Sequence, residues 1–190
     1  MLTQILRHFS FARPSLSAEQ MASLLFALTV GVQDAEHHRL LEEEIKELTD
    51  KGVKREVAQV ELALFKFSAV YFGLLAFEDV RALHGAKIDE VEGYYVAKFK
   101  QRVETSSAPN HELFLQISEF RLAAYTAELE AWQHARENGQ GHEKYLAIGQ
   151  TFFSFCGVQE TNPVTICLAR HKLITIVDVV HKTLLKYRLR

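Results

Sequence analysis

The chain holds nine histidines in 190 residues, which prompts a search for metal and acid–base sites. Two histidines follow an aspartate by three positions, in the pairs Asp34/His37 and Asp178/His181. On a helix this spacing puts both side chains on adjoining faces, where they could share a metal ion or a proton. A complete metal site needs further ligands that converge from other elements. The sequence therefore offers only weak metal candidates, which are His171, Asp178 and His181.

Common motifs of hydrolytic enzymes are absent from the sequence. Neither His-Glu dipeptide, at positions 111 and 142, is followed by the second histidine of an H-E-x-x-H motif. There is no G-x-S-x-G motif, and neither Cys156 nor Cys167 has a flanking base. Cysteines in such apolar stretches usually act as small buried hydrophobes in a reducing compartment. We therefore favour a non-enzymatic, cytoplasmic protein, with a metal-dependent enzyme that uses Asp178 and His181 as a lesser alternative.

A polar stripe runs along the predicted C-terminal helix. His171, Thr175, Asp178 and Lys182 follow one another at spacings of 4, 3 and 4 residues, so they share one face. Such a stripe could line a small-molecule cleft or relay a proton. It could equally be the solvent face of an amphipathic helix, which is the interpretation we prefer.

The longest apolar stretch lies within residues 54–84, and from Val57 onward it carries only two charges before Glu78, namely Glu61 and Lys66. Burial would raise the pKa of Glu61 and make it a polar anchor in a pocket, although pairing with a basic residue of a facing helix is more usual. Arg121 is the candidate partner. Aromatic-rich helices around 65–77 and 152–155 could enclose an apolar cavity. The predicted ligand-pocket residues are Glu61, Phe65, Tyr71, Phe152 and Phe155, and the sequence leaves any cofactor unidentified.

Helical periodicity, end signals and the low content of proline and glycine predict an all-α protein. We expect one domain over residues 1–190, with about seven helices around a buried central helix at 54–84. The apolar spacing of residues 2, 5, 6 and 9 predicts a short N-terminal docking helix over 1–13. The same region has two arginines and no acid before Glu19, which are also traits of a targeting peptide.

Three helix ends are marked by specific residues. Ser17 and Gln20 have the spacing of a capping box, in which each side chain bonds the other's backbone N–H group. Gly52 suits the left-handed position after a helix. The Asn162-Pro163 pair places a favoured residue at the N-cap and another at the first helical position.

The C-terminal helix carries an apolar seam with the 4-3-4-3 spacing of a short coiled coil. Its residues are the predicted interface candidates Leu173, Val177, Val180, Leu184 and Tyr187. Residues 34–50 hold seven acids and two bases, whereas residues 161–190 hold six bases and one acid. These two segments could meet within the chain or across a dimer. The leading hypothesis is thus a non-enzymatic helical interaction module that works by self-association as a homodimer.

Two partner classes are not supported by the sequence. A net charge of −2 gives no basic field for nucleic acid. No membrane span is expected, because the longest uncharged run of the central stretch extends only from Phe67 to Phe77, whereas a bilayer requires roughly 20 residues. The main alternative to self-association is a protein that holds a small apolar ligand or cofactor in an aromatic-lined pocket.

Overall fold

The computed structural model describes residues 13–30, 35–105, 110–139, 147–160 and 162–190. These residues form eight helices and one pair of two-residue strands, which confirms the predicted all-α bundle. The elements are β1 (Ser15–Leu16), α1 (Ala18–Val30), α2 (Ala35–Thr49), α3 (Arg55–Leu75), α4 (Glu78–His84), α5 (Lys87–Glu104), α6 (His111–Glu137), α7 (Ala147–Phe155), α8 (Pro163–Lys186) and β2 (Arg188–Leu189). The N-terminal docking helix that we predict over 1–13 lies outside the described residues except for residue 13.

The central apolar stretch forms two helices, so the single helix expected over 54–84 is wrong. The backbone of Phe77 is extended, with φ −111° and ψ 116°, and separates α3 from α4. Two effects favour this break. The Phe77 ring stacks on His181 with a centroid distance of 4.0 Å. Glu78 and Asp79 then supply negative charge to the first turn of α4, where the helix dipole favours it.

Helix α3 is buried on two opposite faces and contributes to both hydrophobic clusters of the protein. One face packs with α6, α7 and α8 through Ala58, Leu62, Phe65, Ala69 and Phe72. The other face packs with α1 and α5 through Leu64, Phe67, Val70 and Leu74. A helix that is apolar nearly all round can bury both of its faces only when it lies between two layers of other helices. Helix α3 has this position.

The predicted helix ends are confirmed. The backbone N–H of Gln20 donates to Ser17 Oγ at 3.1 Å, and the N–H of Ser17 donates to Gln20 Oε1 at 2.9 Å. Gly52 has φ 88° and ends α2 in the left-handed conformation. Asn162 Oδ1 accepts the N–H of Val164 at 3.0 Å at the start of α8. Side-chain caps replace the hydrogen bonds that the first helical N–H groups cannot make.

The prediction of an interface on α8 is wrong, because its residues are buried inside the protein. Leu173, Val177, Val180 and Leu184 are each at most 2% exposed, and they pack against α3 and its neighbours. Tyr187 is half-buried beside the second cluster. The 4-3-4-3 spacing therefore marks a core face of α8. Self-association of the protein stays a prediction, and its interface would have to be formed by residues outside this seam.

Helix α3 is also the one described helix that is long and apolar enough to cross a membrane by length and composition. In the chain, 67% of its apolar window is buried against the other helices. Core helices of soluble proteins commonly share this composition.

Two glycines allow neighbouring helices to approach closely. A Cβ atom on Gly149 of α7 would lie 2.3 Å from the carbonyl oxygen of Ile166 in α8. A Cβ atom on Gly73 of α3 would lie 2.9 Å from two side-chain atoms of Val180. The contact at Gly149 is with backbone, which cannot rotate away as a side chain can.

We expect Gly149→Ala to lower the free energy of unfolding by about 2 kcal/mol, because α7 must move away from α8 to admit the methyl group. The matched control is Gly93→Ala, since Gly93 lies exposed within α5 and nothing stands within 4 Å of the added Cβ. That control should gain about 0.5–1 kcal/mol from higher helix propensity. Urea unfolding measures both values. Equal effects of the two substitutions would contradict the close approach of α7 and α8.

Candidate functional site

A cavity of about 700 Å³ lies between α2, α3, α7 and α8. Its buried part is apolar and aromatic, whereas its solvent-facing part carries charged and hydroxyl side chains. The apolar residues include Leu48, Leu62, Phe65, Phe152, Phe153, Ala169 and Ile176, and the polar residues include Glu44, Glu47, Lys51, Lys66, His171, Lys172 and Thr175. Pockets of this size and composition are the usual binding sites for small molecules.

Two of the five predicted pocket residues line this cavity. The rings of Phe65 and Phe152 meet there with a centroid distance of 4.6 Å and an interplanar angle of 42°. The other three predictions are corrected, because those side chains lie elsewhere. Tyr71 donates to Glu92 Oε1 at 2.8 Å on α5, and burial together with this carboxylate raises its pKa to about 12.

Glu61 and Phe155 belong to a different contact region, between α3, α6 and α7. Arg121 Nε donates to Glu61 Oε1 at 3.0 Å, as predicted from the sequence. The guanidinium of Arg121 lies 3.6 Å from the centre of the Phe155 ring, so the cation is held between a carboxylate and an aromatic face. This arrangement explains why neither Glu61 nor Phe155 reaches the cavity.

Glu61 is almost fully buried, with 4% of its surface exposed to solvent. Desolvation by burial raises the pKa of Glu61, and the hydrogen bond and charge of Arg121 oppose that shift. Glu61 Oε2 and the Tyr125 hydroxyl are buried without a hydrogen-bond partner among the described residues. Burial raises the pKa of the Cys156 thiol to about 12, and Glu61 adds to the shift. Cys156 is therefore protonated at neutral pH and unsuited to nucleophilic attack.

Charged side chains around the cavity mouth form a connected set. Lys66 Nζ contacts Glu44 Oε2 at 2.7 Å. Lys172 Nζ lies 3.6 Å from both Glu44 Oε1 and Glu47 Oε2. The acidic α2 and the basic α8 thus meet within the chain, which is one of the two arrangements expected from their charges. Sequence reasoning noted the opposite charges but did not assign them to a binding site.

The metal candidates do not come together. His171 and Asp178 are exposed, and His181 Nε2 contacts Asp79 Oδ2 of α4 at 2.9 Å. This hydrogen bond lowers the pKa of Asp79. Within the described ranges, no group of three or more histidine, cysteine or acidic side chains could hold a metal ion. The weak metal candidates His171, Asp178 and His181 therefore gain no support as ligands of one metal ion. Asp34 of the other pair lies outside the described residues.

The predicted polar stripe of α8 divides between two environments. His171 and Thr175 line the cavity mouth, whereas Asp178 and Lys182 are exposed and lie outside the lining. The hydroxyl of Thr175 donates to the carbonyl of His171 at 2.9 Å. The cleft interpretation therefore applies to the first half of the stripe and the solvent-face interpretation to the second half.

No protein-family model matches the chain, and comparisons with curated proteins and with solved structures find no significant match.

The Glu61–Arg121 pair yields a stability prediction. At pH 7, Arg121→Met should lower the free energy of unfolding by about 3–5 kcal/mol, because it keeps an apolar side chain on Phe155 but leaves a buried carboxylate unpaired. A second substitution, Glu61→Gln, should recover part of that loss. Urea unfolding of the two single variants and the double variant measures the coupling. Additive effects would contradict a dependence of buried Glu61 on Arg121.

The pH dependence of these variants has a defined sign. Because the folded-state pKa of Glu61 is raised above its ordinary value of 4.5, its contribution favours folding at low pH and is lost as pH rises through the folded-state pKa. The deficit of Arg121→Met should therefore shrink as pH falls toward 4.5. The Glu61→Gln/Arg121→Met protein should lack that change.

Proposed function

We propose that the protein binds a small amphipathic molecule in the cavity between α2, α3, α7 and α8. The observation that carries this proposal is the cavity itself, which has a volume of about 700 Å³ and an aromatic wall that includes Phe65, Phe152 and Phe153. Binding pockets for small molecules typically span about 300–1,000 Å³ and combine an apolar lining with a few polar groups. The sequence-based alternative of an aromatic-lined pocket is thus favoured over the sequence-based interface on α8.

The residues of the cavity define the chemical class of ligand. An apolar body would contact the buried phenylalanine and leucine side chains and leave water, at about 25 cal/mol per Å² of apolar surface removed. A polar head group would remain at the mouth beside Lys66, Lys172, His171 and Thr175. Lys172 is the cation best placed to turn toward a ligand, because its side chain is 46% exposed and its contacts with Glu44 and Glu47 are long. We therefore expect an anionic head group.

Three twelve-carbon probes with different head groups test this proposal. Dodecanoate, dodecanol and dodecyltrimethylammonium share a long apolar chain, and their head groups are anionic, neutral and cationic. We expect dodecanoate to bind most tightly and the ammonium compound least tightly, as measured by titration calorimetry below the micelle concentrations of the two ionic probes and below the solubility limit of dodecanol. Replacement of Lys172 by glutamine should weaken dodecanoate about tenfold, because a cation near the carboxylate is lost, and should leave dodecanol unchanged.

Steric block of the cavity mouth gives an independent control. Thr175→Trp should weaken all three probes, since Thr175 lines the mouth and is exposed enough to accept a larger side chain. Val179→Trp, one turn further along α8, should leave binding unchanged, because Val179 is exposed and lies outside the lining. Binding that survives Thr175→Trp, or no binding of any probe, would overturn the proposal.

Self-association is a second candidate function, and exposed apolar residues on α6 favour it. Leu113, Ile117 and Phe120 are 50%, 38% and 63% exposed and follow one another at spacings of 4 and 3 residues. Ala124, Ala127 and Ala131 continue the same 4-3-4 pattern along the helix. A seam of this kind can pack against a helix of a second copy, and contiguous exposed apolar patches often mark interfaces.

Sedimentation velocity at about 50 µM tests association. We expect a dimer that Phe120→Glu dissociates, because the substitution places a charge in the apolar seam. Leu83→Glu on α4 is the control, since Leu83 is 41% exposed and lies away from α6. A monomeric wild-type protein, or a dimer that both substitutions leave intact, would exclude the α6 seam as the interface.

A further inference from the structure

The carboxylate of Glu44 bridges two lysines at the mouth of the cavity. Lys66 Nζ of α3 contacts Glu44 Oε2 at 2.7 Å, and Lys172 Nζ of α8 lies 3.6 Å from Glu44 Oε1. All three side chains line the cavity. Each carboxylate oxygen thus faces a different ammonium group, an arrangement that suits an acceptor-only group between two donors. The two lysines therefore form a carboxylate site that a side chain of the protein itself occupies.

Partial burial distinguishes Glu44 from its neighbour Glu43 on α2. The side chains of Glu44 and Lys66 are 20% and 22% exposed. Glu43 is 54% exposed, pairs with Arg39 at 2.6 Å and lies outside the cavity lining. Water and salt screen a partly buried ion pair less than an exposed one. The contact between Glu44 and Lys66 is therefore stronger than an ordinary surface ion pair.

The two lysines differ in how firmly Glu44 holds them. Lys172 lies 3.6 Å from both Glu44 Oε1 and Glu47 Oε2, which is longer than a hydrogen bond, and its side chain is 46% exposed. The carboxylate of a ligand can approach Lys172 without the loss of a short contact. Lys66, in contrast, already contacts Glu44 at 2.7 Å. Two carboxylates beside one ammonium group repel each other, so a ligand and Glu44 compete for Lys66.

From this arrangement we infer that Glu44 sets the affinity of the cavity for anionic ligands, because it competes with their head group. The inference rests on the ligand site proposed above. The carboxylate of a ligand takes the place of Glu44 between Lys66 and Lys172, and the Glu44 side chain turns from the mouth into water. One carboxylate thus replaces another. Glu44 reduces the gain from the lysines without abolishing it, since the ligand can approach Lys172 more closely than 3.6 Å.

This exchange selects the class of anion that the cavity binds. Glu44 is attached to the protein, so its effective concentration at the two lysines is high and a small anion such as acetate competes poorly with it. A long-chain carboxylate also brings an apolar body into contact with Phe65 and Phe152. The removal of that apolar surface from water supplies the free energy that displaces Glu44. The lysines are thus available to amphipathic carboxylates and protected from small anions.

The substitution Glu44→Gln tests the inference on the full chain, with dodecanoate and dodecanol as probes. Glutamine keeps the size of the side chain and removes its charge. We expect dodecanoate to bind about tenfold more tightly, because the competitor for the two lysines is lost, and dodecanol to bind as before. Titration calorimetry measures both affinities. The matched control Glu43→Gln removes the same charge from α2 outside the cavity lining and should change dodecanoate binding by less than about twofold.

Unchanged or weaker dodecanoate binding by Glu44→Gln would overturn the inference, and so would an equal change for both probes, which would mean that Glu44 only holds α2 in place. Equal effects of Glu44→Gln and Glu43→Gln would assign the change to the net charge of α2. In these cases dodecanol binding by the wild-type protein still supports the proposed ligand site, whereas no binding of either probe to any variant would overturn that site as well. If circular dichroism shows that Glu44→Gln is unfolded, Glu44→Ala, with its high helix propensity, replaces it.

Discussion

The fold depends on one constraint, which is that α3 must be covered on two opposite faces. A surface helix needs one layer of partners, whereas α3 presents apolar residues to both clusters and is left with little polar surface. Helices α1 and α5 cover one face, and α6, α7 and α8 contribute to the other. The same constraint buries Glu61, and the cost of burying that charge is reduced by Arg121 from α6. The position of α6 is therefore tied to α3 by charge as well as by apolar contact.

The cavity results from the way in which α7 and α8 pack together beside α3. Gly149 brings the backbone of α7 against Ile166 of α8, so Phe152 and Phe153 are held at the side of α3. Ala169, one turn after Ile166, is too small to fill the space between these rings and the α2 side chains. Large side chains with one small neighbour leave room that a better-filled core would lack. The charges of Glu44, Lys66 and Lys172 then keep the opening of that space polar.

Much of the local structure was predictable because it depends on short-range chemistry. The Ser17–Gln20 capping box, the left-handed Gly52 and the Asn162 cap each involve residues within a few positions of one another, and all three are confirmed. The pairing of Glu61 with Arg121 was also predictable, since a buried carboxylate needs a partner and few bases lie in apolar stretches. The sequence did not predict the break at Phe77, where the ring stacks on His181, because the apolar pattern does not connect two residues that are 104 positions apart.

The error over the α8 seam shows what periodicity leaves undetermined. Both α8 and α6 carry apolar residues with a 4-3-4 spacing, yet the first seam is buried and the second is partly exposed. A repeat of apolar side chains establishes that a helix has an apolar face but does not identify what covers it. Helix α3 covers the seam of α8 with both of its apolar faces, because Leu173 and Val177 belong to one hydrophobic cluster and Val180 and Leu184 belong to the other. The chain thus uses its most regular seam for its own core, and surfaces for other molecules are to be sought at the cavity mouth and along α6.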